Sequence, residues 1–554
     1  MLFINKMDTS QVRVRDVMEA YQAVSARPLV LRQVPIREGE QVTGYVDLIS
    51  ERAYRYQTGK ASELITIPEE FLDRKEESRQ EMLEALADFD DSLLEQLLED
   101  TVPAKEEIYG HLRTDVGQDL VVPVLIGAGE KDFGVRRLLK ALRHDTPGVV
   151  LAAERRGVAV DDGAAIQLFR TVYAGHTGKL TFGRVMSGVV KEGDVLGGEK
   201  LGTILSVRGS ATAKRVTSAP GQVLAIGRAE NLLAGQLLCG PSDARMSEDW
   251  PVPPSSTYGV ALHAENRQDE VKLSSALQKM REEDCSLLVE QDQELHQLTL
   301  WGQGEQHVAI ALDRLKNRFG VGVTTTPVAT PYRETVQAAT DQHARFKRQS
   351  GGHGQFGDVQ ISVRPLGRGE GVQFAEKVVG GAVPRQYIPA VESGVREATE
   401  RGPLGFPVVD ISVTLTDGKH HAVDSSEQAF KTAGRMAVQD ALPNCKPVLL
   451  EPIVRLTAYT PDGATAAVQR LITGRRGQIL GYDAREGWPG WDQVEAHMPQ
   501  AEIRDMIVEL RSLTMGVGSF EWRFDHLQEL SGRLADEIVL SLIHISEPTR
   551  LRSI

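Results

Sequence analysis

The chain has 554 residues, a formal net charge of −14, 41% hydrophobic and 25% charged residues, the balance of a globular protein of about three to five domains. The acidic excess argues against unspecific polyanion binding by the whole molecule, so any nucleic-acid contact would have to come from local patches. An aromatic content of 5% argues against stacking along a run of bases. Cys239, Cys285 and Cys445 are widely spaced and form no C-x-x-C, which points to a reducing compartment. The longest apolar run, around Leu120–Ala128, is too short to span a bilayer, and the N-terminus lacks the pattern of a signal peptide. The expectation is a cytoplasmic, multidomain protein without a membrane partner.

The chain opens on an apolar strand, Leu2-Phe3-Ile4, that runs directly into Asn5-Lys6-Met7-Asp8. That order suits a guanine base. An Asn amide can bond the N7 edge, a Lys stem can lie across the ring, and an Asp carboxylate can accept from two adjacent base N–H donors, at about 1.5–3 kcal/mol per charge-assisted bond. From Ser62 to Glu107 the sequence is acidic, with Met82, Leu83, Leu86, Leu93, Leu94, Leu97 and Leu98 at helical spacing. It reads as a helical subdomain with a solvated face. A buried strand follows, then a turn at Gly127-Ala128-Gly129 and a helix with basic residues near its end. Such a turn can bring backbone N–H groups against a ligand.

Between Gly148 and Met246, short alternating runs are broken by Gly roughly every eight to twelve residues, the rhythm of a small β-barrel. Within it, Gly175–Lys179 (GHTGK) mimics a phosphate loop. The full pattern needs Gly at Tyr173 and Ser or Thr at Leu180, so the stretch reads as a hairpin turn. Glu248–Ser256 is a Pro-rich linker. Beyond it, a strand at Tyr258–Ala264, a helix at Lys272–Glu283, a hairpin, a helix at Glu305–Phe319 and a closing strand give the β-α-β-β-α-β order of a ferredoxin-like domain. Arg455–Asp525 repeats that order, and Pro331–Pro452 between them mixes strands with helices near Ala390–Glu400 and Ser426–Leu442.

Arg345, Lys347 and Arg348 precede a loop of small residues, Ser350–Gly354, whose bare backbone could approach another backbone closely. Further on, His420 and His421 sit on a turn before Asp424-Ser425-Ser426, which read as a helix N-cap. No third ligand lies at metal spacing there. No nucleophile elbow accompanies His421, which weighs against a hydrolase triad with Asp424 and Ser425. Arg475 and Arg476 end a helix before Gly477, where cap and dipole chemistry account for them.

Taken in order, Asn5-Lys6-Met7-Asp8, GKLTFGRVMSGVVKEGD, GQGEQHVAIALDRLKNRFGV, PYRETV, QSGGHGQFGDV, GGAVPRQYIPAVESGV, GPLGFPVVDISVTL, VDSSEQAFKTA, KPVLLEPI and RRGQILG…LRSLTMGVGSF resemble bacterial translation elongation factor G. They are closer to its elongation factor G-like paralogues, over roughly Leu2–Val539. The resemblance implies a multidomain α/β and α+β chain: a partial P-loop-type G domain, a β-barrel, two ferredoxin-like domains and an S5-like α+β domain. Its expected bounds are 1–146 for the rear of the G domain with an acidic helical insert and 147–246 for the domain II barrel. Ferredoxin-like domain III takes 252–330, the ribosome-tip domain IV 331–452, ferredoxin-like domain V 453–539, and a non-native tail 540–554.

It also implies a monomeric translational GTPase that binds the ribosome, its rRNA and the tRNA–mRNA at the decoding site, and drives translocation. Asn5, Lys6 and Asp8 match the family's guanine readers. Ala128 and Gly129 stand where the family has Ser-Ala, which removes a hydroxyl and keeps the backbone N–H groups. The tip loops correspond to Ser350–Gly357 and Gly418–Ser425, so Arg345, Lys347, Arg348, Ser350, Gly351, Gly352, His353, Gly354, Gln355, His420 and His421 are the expected ribosome contacts. His353 replaces a common Arg and Phe356 a common Tyr, leaving the tip with less fixed charge. GTP or GDP would find only a guanine half-site, with Mg²⁺ implied for a full-length parent. The sequence holds no G-x-x-x-x-G-K-[ST] loop, switch segment, Asp-x-x-Gly or water-ordering His, which predicts no catalytic residue and no hydrolysis. Met1 is then expected to be internal to a longer protein. The alternative is a ribosomal protection or recycling factor that works through domain IV without catalysis of its own.

Overall fold

A computed structural model describes residues 1–39, 41–99, 101–158, 163–175, 178–209, 211–248, 250–293, 295–350 and 353–546, with the side chains of 349, 350, 353 and 542–546 left aside. The chain divides into two units, Met1–Val252 and Pro253–Ile554, with the break inside the Pro-rich linker.

In the first unit, Leu2–Ile4, Val122–Ile126 and Leu29–Leu31 form a parallel sheet with Val122–Ile126 at its centre. The acidic stretch expected to be helical, Ser62–Glu107, carries helices from Leu72 onward, and a sheet that the sequence reading did not foresee precedes them. Strands Gln33–Glu38, Gln41–Asp47, Arg52–Arg55 and Glu63–Ile65 make an antiparallel sheet ahead of helices Leu72–Ala87, Asp91–Leu98 and Lys105–Gly117. Val34, Val46 and Leu48 pack against Met82, Leu86, Leu93, Ile108 and Leu112 from those helices. On its other face, Tyr45 and Tyr56 join Met7, Val14 and Ile126. Gly44 is required there, because a Cβ would stand 2.2 Å from the Tyr54 carbonyl oxygen.

Residues 165–246 form a seven-stranded antiparallel sheet and two short ribbons. Its inward residues, Ile166, Leu168, Val185, Leu224, Ile226 and Leu238 among them, make one core. Ala174 pairs with Gly178, so the phosphate-loop mimic joins two antiparallel strands as a hairpin; His176 and Thr177 lie outside the described residues.

In the second unit, strands Leu288–Asp292, Gln297–Gly302, Tyr258–Ala264 and Val323–Thr326 lie in that spatial order, with helices Glu270–Glu283 and Glu305–Asn317 supplying the core. This is the ferredoxin-like order. The C-terminal sheet repeats it, with Gln478–Ala484, Trp491–Pro499, Pro447–Pro461 and Ser519–Leu530 as neighbours and Thr465–Gly474 and Met506–Leu513 as helices. Between the two, Thr340–Ser350, His353–Pro365, Ile411–Lys419 and Val372–Glu376 form a sheet covered by helices Ile388–Thr399 and Glu427–Ala441. The last helix runs Arg533–Ser546, across the junction at 540 expected from sequence, and packs Ala535, Ile538 and Val539 against Phe406 and Leu530.

Glu334 is a buried carboxylate that accepts from the backbone N–H groups of Leu404 (2.8 Å) and Phe406 (3.3 Å). Burial outweighs these donors and pushes its carboxyl up to about 7. Between the unfolded value near 4.5 and about 7 the folded state holds the extra proton. The resulting stability is complete at the acid end and is lost as pH rises through 7. Glu334→Gln mimics the protonated acid. The unfolding free energy from urea titration is therefore expected to fall by up to about 3 kcal/mol from pH 4.5 to 7.5 in the wild-type chain and to stay flatter in the variant.

Candidate functional site

The structure gathers the candidate residues named from sequence into two groups. The first lies at the C-terminal ends of the parallel strands Leu2–Ile4 and Val122–Ile126, where loops can converge on a ligand. Lys6 takes a left-handed conformation (φ 58°), which tightens the turn after the strand, and the N–H groups of Thr9 and Ser10 close it onto the Lys6 carbonyl. Met7 is buried and donates its N–H to the Gly127 carbonyl at 3.0 Å, locking the loop to its neighbour. Asn5 Oδ1 accepts from the Gly129 N–H at 2.9 Å, which leaves its Nδ2 as the outward donor. Asp8 forms an ion pair with Lys131 at 3.0 Å.

The backbone N–H groups expected at Ala128 and Gly129 are present and are engaged within the turn. Ala128 N–H donates to the Phe133 carbonyl at 2.9 Å and Gly129 N–H to Asn5, because both groups brace the turn. Phe133 in turn stacks on Tyr56 at 4.8 Å, with Lys131 over its ring. Lys131 is the residue that sequence reasoning missed. Asp8 and Lys131 are far apart in the chain, and only the pairing of the two strands brings them together.

The second group lies at the end of the long hairpin made by Thr340–Ser350 and His353–Pro365. Gly351 and Gly352 lie outside the described residues, as do the side chains of Ser350 and His353. Lys347 and Arg348 are exposed, opposite Phe356 and Gln355. Arg345 is partly committed, with its Nε donating to the buried Asp358 at 2.6 Å; His343 bonds the other oxygen at 2.9 Å.

The loop carrying His420 and His421 packs directly on this hairpin. Asp424 Oδ1 accepts from the Gly354 N–H at 3.1 Å, and the Asp424 carbonyl accepts from the Phe356 N–H at 2.7 Å. Ser425 Oγ donates to the Phe356 carbonyl at 3.0 Å. A side chain on Gly354 would place its Cβ 2.8 Å from the Asp424 carboxylate, so the glycine is what lets the loops meet. His421 Nδ1 lies 3.2 Å from Asp424 Oδ2, and its ring meets Phe356 edge-on at 6.3 Å. His420 Nδ1 lies 3.3 Å from the Ala382 carbonyl oxygen. Ser426 caps helix Glu427–Ala441 by accepting from the Ala429 N–H, as its sequence position suggests. Ser425 Oγ accepts from the backbone N–H of His421 at 2.8 Å and donates to Phe356, so the hydroxyl is spent on the loop and is not presented to an imidazole as a nucleophile would be.

Arg475 and Arg476 have structural partners. Arg475 donates to the Glu502 carbonyl, and Arg476 makes a two-pronged pair with Glu451 at 3.0 Å per bond. No helix among the described residues is long and apolar enough to cross a membrane.

Comparison with known proteins agrees with this architecture. The family models for elongation factor G domain III, domain IV and C-terminus match residues 253–327, 328–446 and 448–538. An elongation factor G-like protein of Synechocystis sp. (strain ATCC 27184 / PCC 6803 / Kazusa) is 47% identical over 539 residues, covering 97% of this chain and 80% of that protein. A crystal structure of a Thermus thermophilus protein matches with a TM-score of 0.85 at 32% identity, covering 98% of this chain and 81% of the other. The chain belongs to the elongation factor G family of translation elongation factors.

Proposed function

We propose that this chain acts in the cytoplasm on the ribosome, placing the paired loops around Gly354 and Asp424 at the decoding site as a translocation factor of the elongation factor G type. The observation that carries this reading is the interlock itself. Two loops some seventy residues apart are bonded into one narrow tip, with Lys347 and Arg348 exposed on its flank to meet phosphate. Cations so placed give an acidic protein a local nucleic-acid contact. Chemical footprinting of ribosomal RNA tests it. The expected result is protection of decoding-site bases by the wild-type chain without tetracycline; protection only in the presence of the drug would favour the protection-factor reading.

The half-site at Asn5, Lys6 and Asp8 is assigned to a guanine base. Asn5 Nδ2 is the donor toward N7, and the Asp8 carboxylate is the acceptor for the two adjacent base N–H groups. The base fits this donor set. The phosphates and Mg²⁺ do not, because no sequence pattern in the chain supplies a phosphate loop or a Mg²⁺-binding hydroxyl beside it. The polypeptide is therefore assigned recognition without cleavage. A fluorescent GDP analogue is expected to bind weakly but in preference to its ADP counterpart. Asp8→Ala is expected to remove that preference by roughly ten- to a hundredfold. Lys131 competes with the base for Asp8, so Lys131→Ala is expected to strengthen GDP binding; no change in either variant contradicts the assignment.

A further inference from the structure

The outer face of the C-terminal sheet carries a side-chain cluster outside both sites. Strands Trp491–Pro499 and Ser519–Leu530 flank the long strand Pro447–Pro461 on its two sides. Strands separated by one neighbour stand about 9.5 Å apart. The rings of His497 and His526 nevertheless lie 5.4 Å apart, so both side chains lean across the central strand. They converge on Asp525, whose Oδ2 is 2.6 Å from His526 Nδ1 and 3.6 Å from His497 Nε2.

In a regular strand, Asp525 and His526 would point to opposite faces. A β-bulge removes that constraint. Ile453 pairs with His526 and Val454 with Phe524, which leaves Asp525 outside the ladder and turns both side chains to the same side. The three candidate donor atoms all lie within 4.8 Å of one another. Bonds of about 2.0–2.1 Å in a tetrahedral site put donor atoms about 3.4 Å apart. The two contacts to Asp525 bracket that separation, so small ring rotations would complete the geometry. The neighbouring Arg455 is bonded to Glu495 at 2.6 Å, which offsets its charge. All three residues are partly exposed, leaving a way in for an ion and room for a water ligand.

We propose that His497, Asp525 and His526 bind one divalent first-row cation of the zinc class, with water completing the coordination. Two imidazoles and one carboxylate suit such an ion better than Mg²⁺ or Ca²⁺, which prefer oxygen donors. The ion ties the two strands together across the strand between them.

The test uses the whole 554-residue chain, stripped of metal and titrated calorimetrically with Zn²⁺, with Co²⁺ as a spectroscopic probe. The wild-type chain is expected to take up one equivalent, show cobalt–ligand absorption in the visible and melt at a higher temperature with Zn²⁺. His497→Ala, His526→Ala and Asp525→Asn are each expected to weaken Zn²⁺ binding at least about tenfold, whereas His144→Ala leaves it unchanged. Absence of saturable binding in the wild-type chain overturns the proposal. So does equal affinity in the His497→Ala/His526→Ala double variant.

Discussion

Replacing Arg32 by alanine is expected to destabilise the first unit by about 3–5 kcal/mol, the usual cost of stranding a buried partner charge. Arg32 is fully buried and donates to Asp145 at 2.8 Å, just past the end of helix Val135–His144. Its backbone links both sheets, since its N–H donates to the Val124 carbonyl and its carbonyl accepts from Leu48. The guanidinium also acts on Asp47, which pairs with Arg137 at 2.5 Å. Burial pushes the Asp47 carboxyl up, but Arg137, Arg32 and the Ser50 hydrogen bonds outweigh it and hold the group below its ordinary value. A depressed folded value means that this contribution is full above the ordinary carboxylate range and is lost as pH falls through the folded value. Urea unfolding followed from pH 3 to 7 is therefore expected to show a shallower acid loss in Arg32→Ala than in the wild-type chain. Replacing Arg32 and Asp145 together by apolar residues of similar volume is expected to recover much of the stability, because Asp145 leaves with its partner and Asp47 keeps its ion pair with Arg137.

Phe430→Ala is expected to cost about 3–5 kcal/mol in the domain IV segment. The ring is fully buried in the core shared by helix Glu427–Ala441 and the sheet, and stacks on Tyr387 at 4.9 Å. Tyr387 OH donates to the Ser425 carbonyl at 3.2 Å, so the cavity also loosens a support of the tip loop. Phe430→Leu keeps most of the volume and is expected to lose less than half as much in denaturant titrations. Equal losses in the two variants would show that the cavity does not set the cost.

Where one face of an element is buried, its period is readable. Helices expected at Lys272–Glu283 and Glu305–Phe319 lie within a turn of those ends, and both ferredoxin-like orders follow from alternating strands. The antiparallel sheet at Gln33–Ile65 escapes a sequence reading for a physical reason. Strand Gln41–Asp47 is buried on both faces, with Val46 against the helices and Tyr45 against Tyr54 and Tyr56, so its apolar residues do not alternate. Gly44 and the loop glycines break what pattern remains. The residue types of the proposed half-site can be read from the sequence, but the contacts among them cannot: the ion pair of Asp8 with Lys131 and the engaged N–H groups at Ala128 and Gly129 depend on strand pairing. Asp525 and His526 escape because a bulge cancels the alternation that sequence reading assumes.

The most direct measurement is co-sedimentation with 70S ribosomes across a salt series, comparing the wild-type chain with variants of each tip loop. Lys347→Ala/Arg348→Ala is expected to weaken binding roughly tenfold and to make its salt dependence shallower by about one to two phosphate contacts. Asp424→Ala separates two explanations. Removing an acid strengthens attraction to RNA if charge alone matters, whereas here it releases Gly354 and uncouples the loops. The expected result is weaker binding by Asp424→Ala and recovery in Asp424→Asn, which keeps the acceptor. Tighter binding by Asp424→Ala, or no ribosome binding by the wild-type chain, would contradict the account.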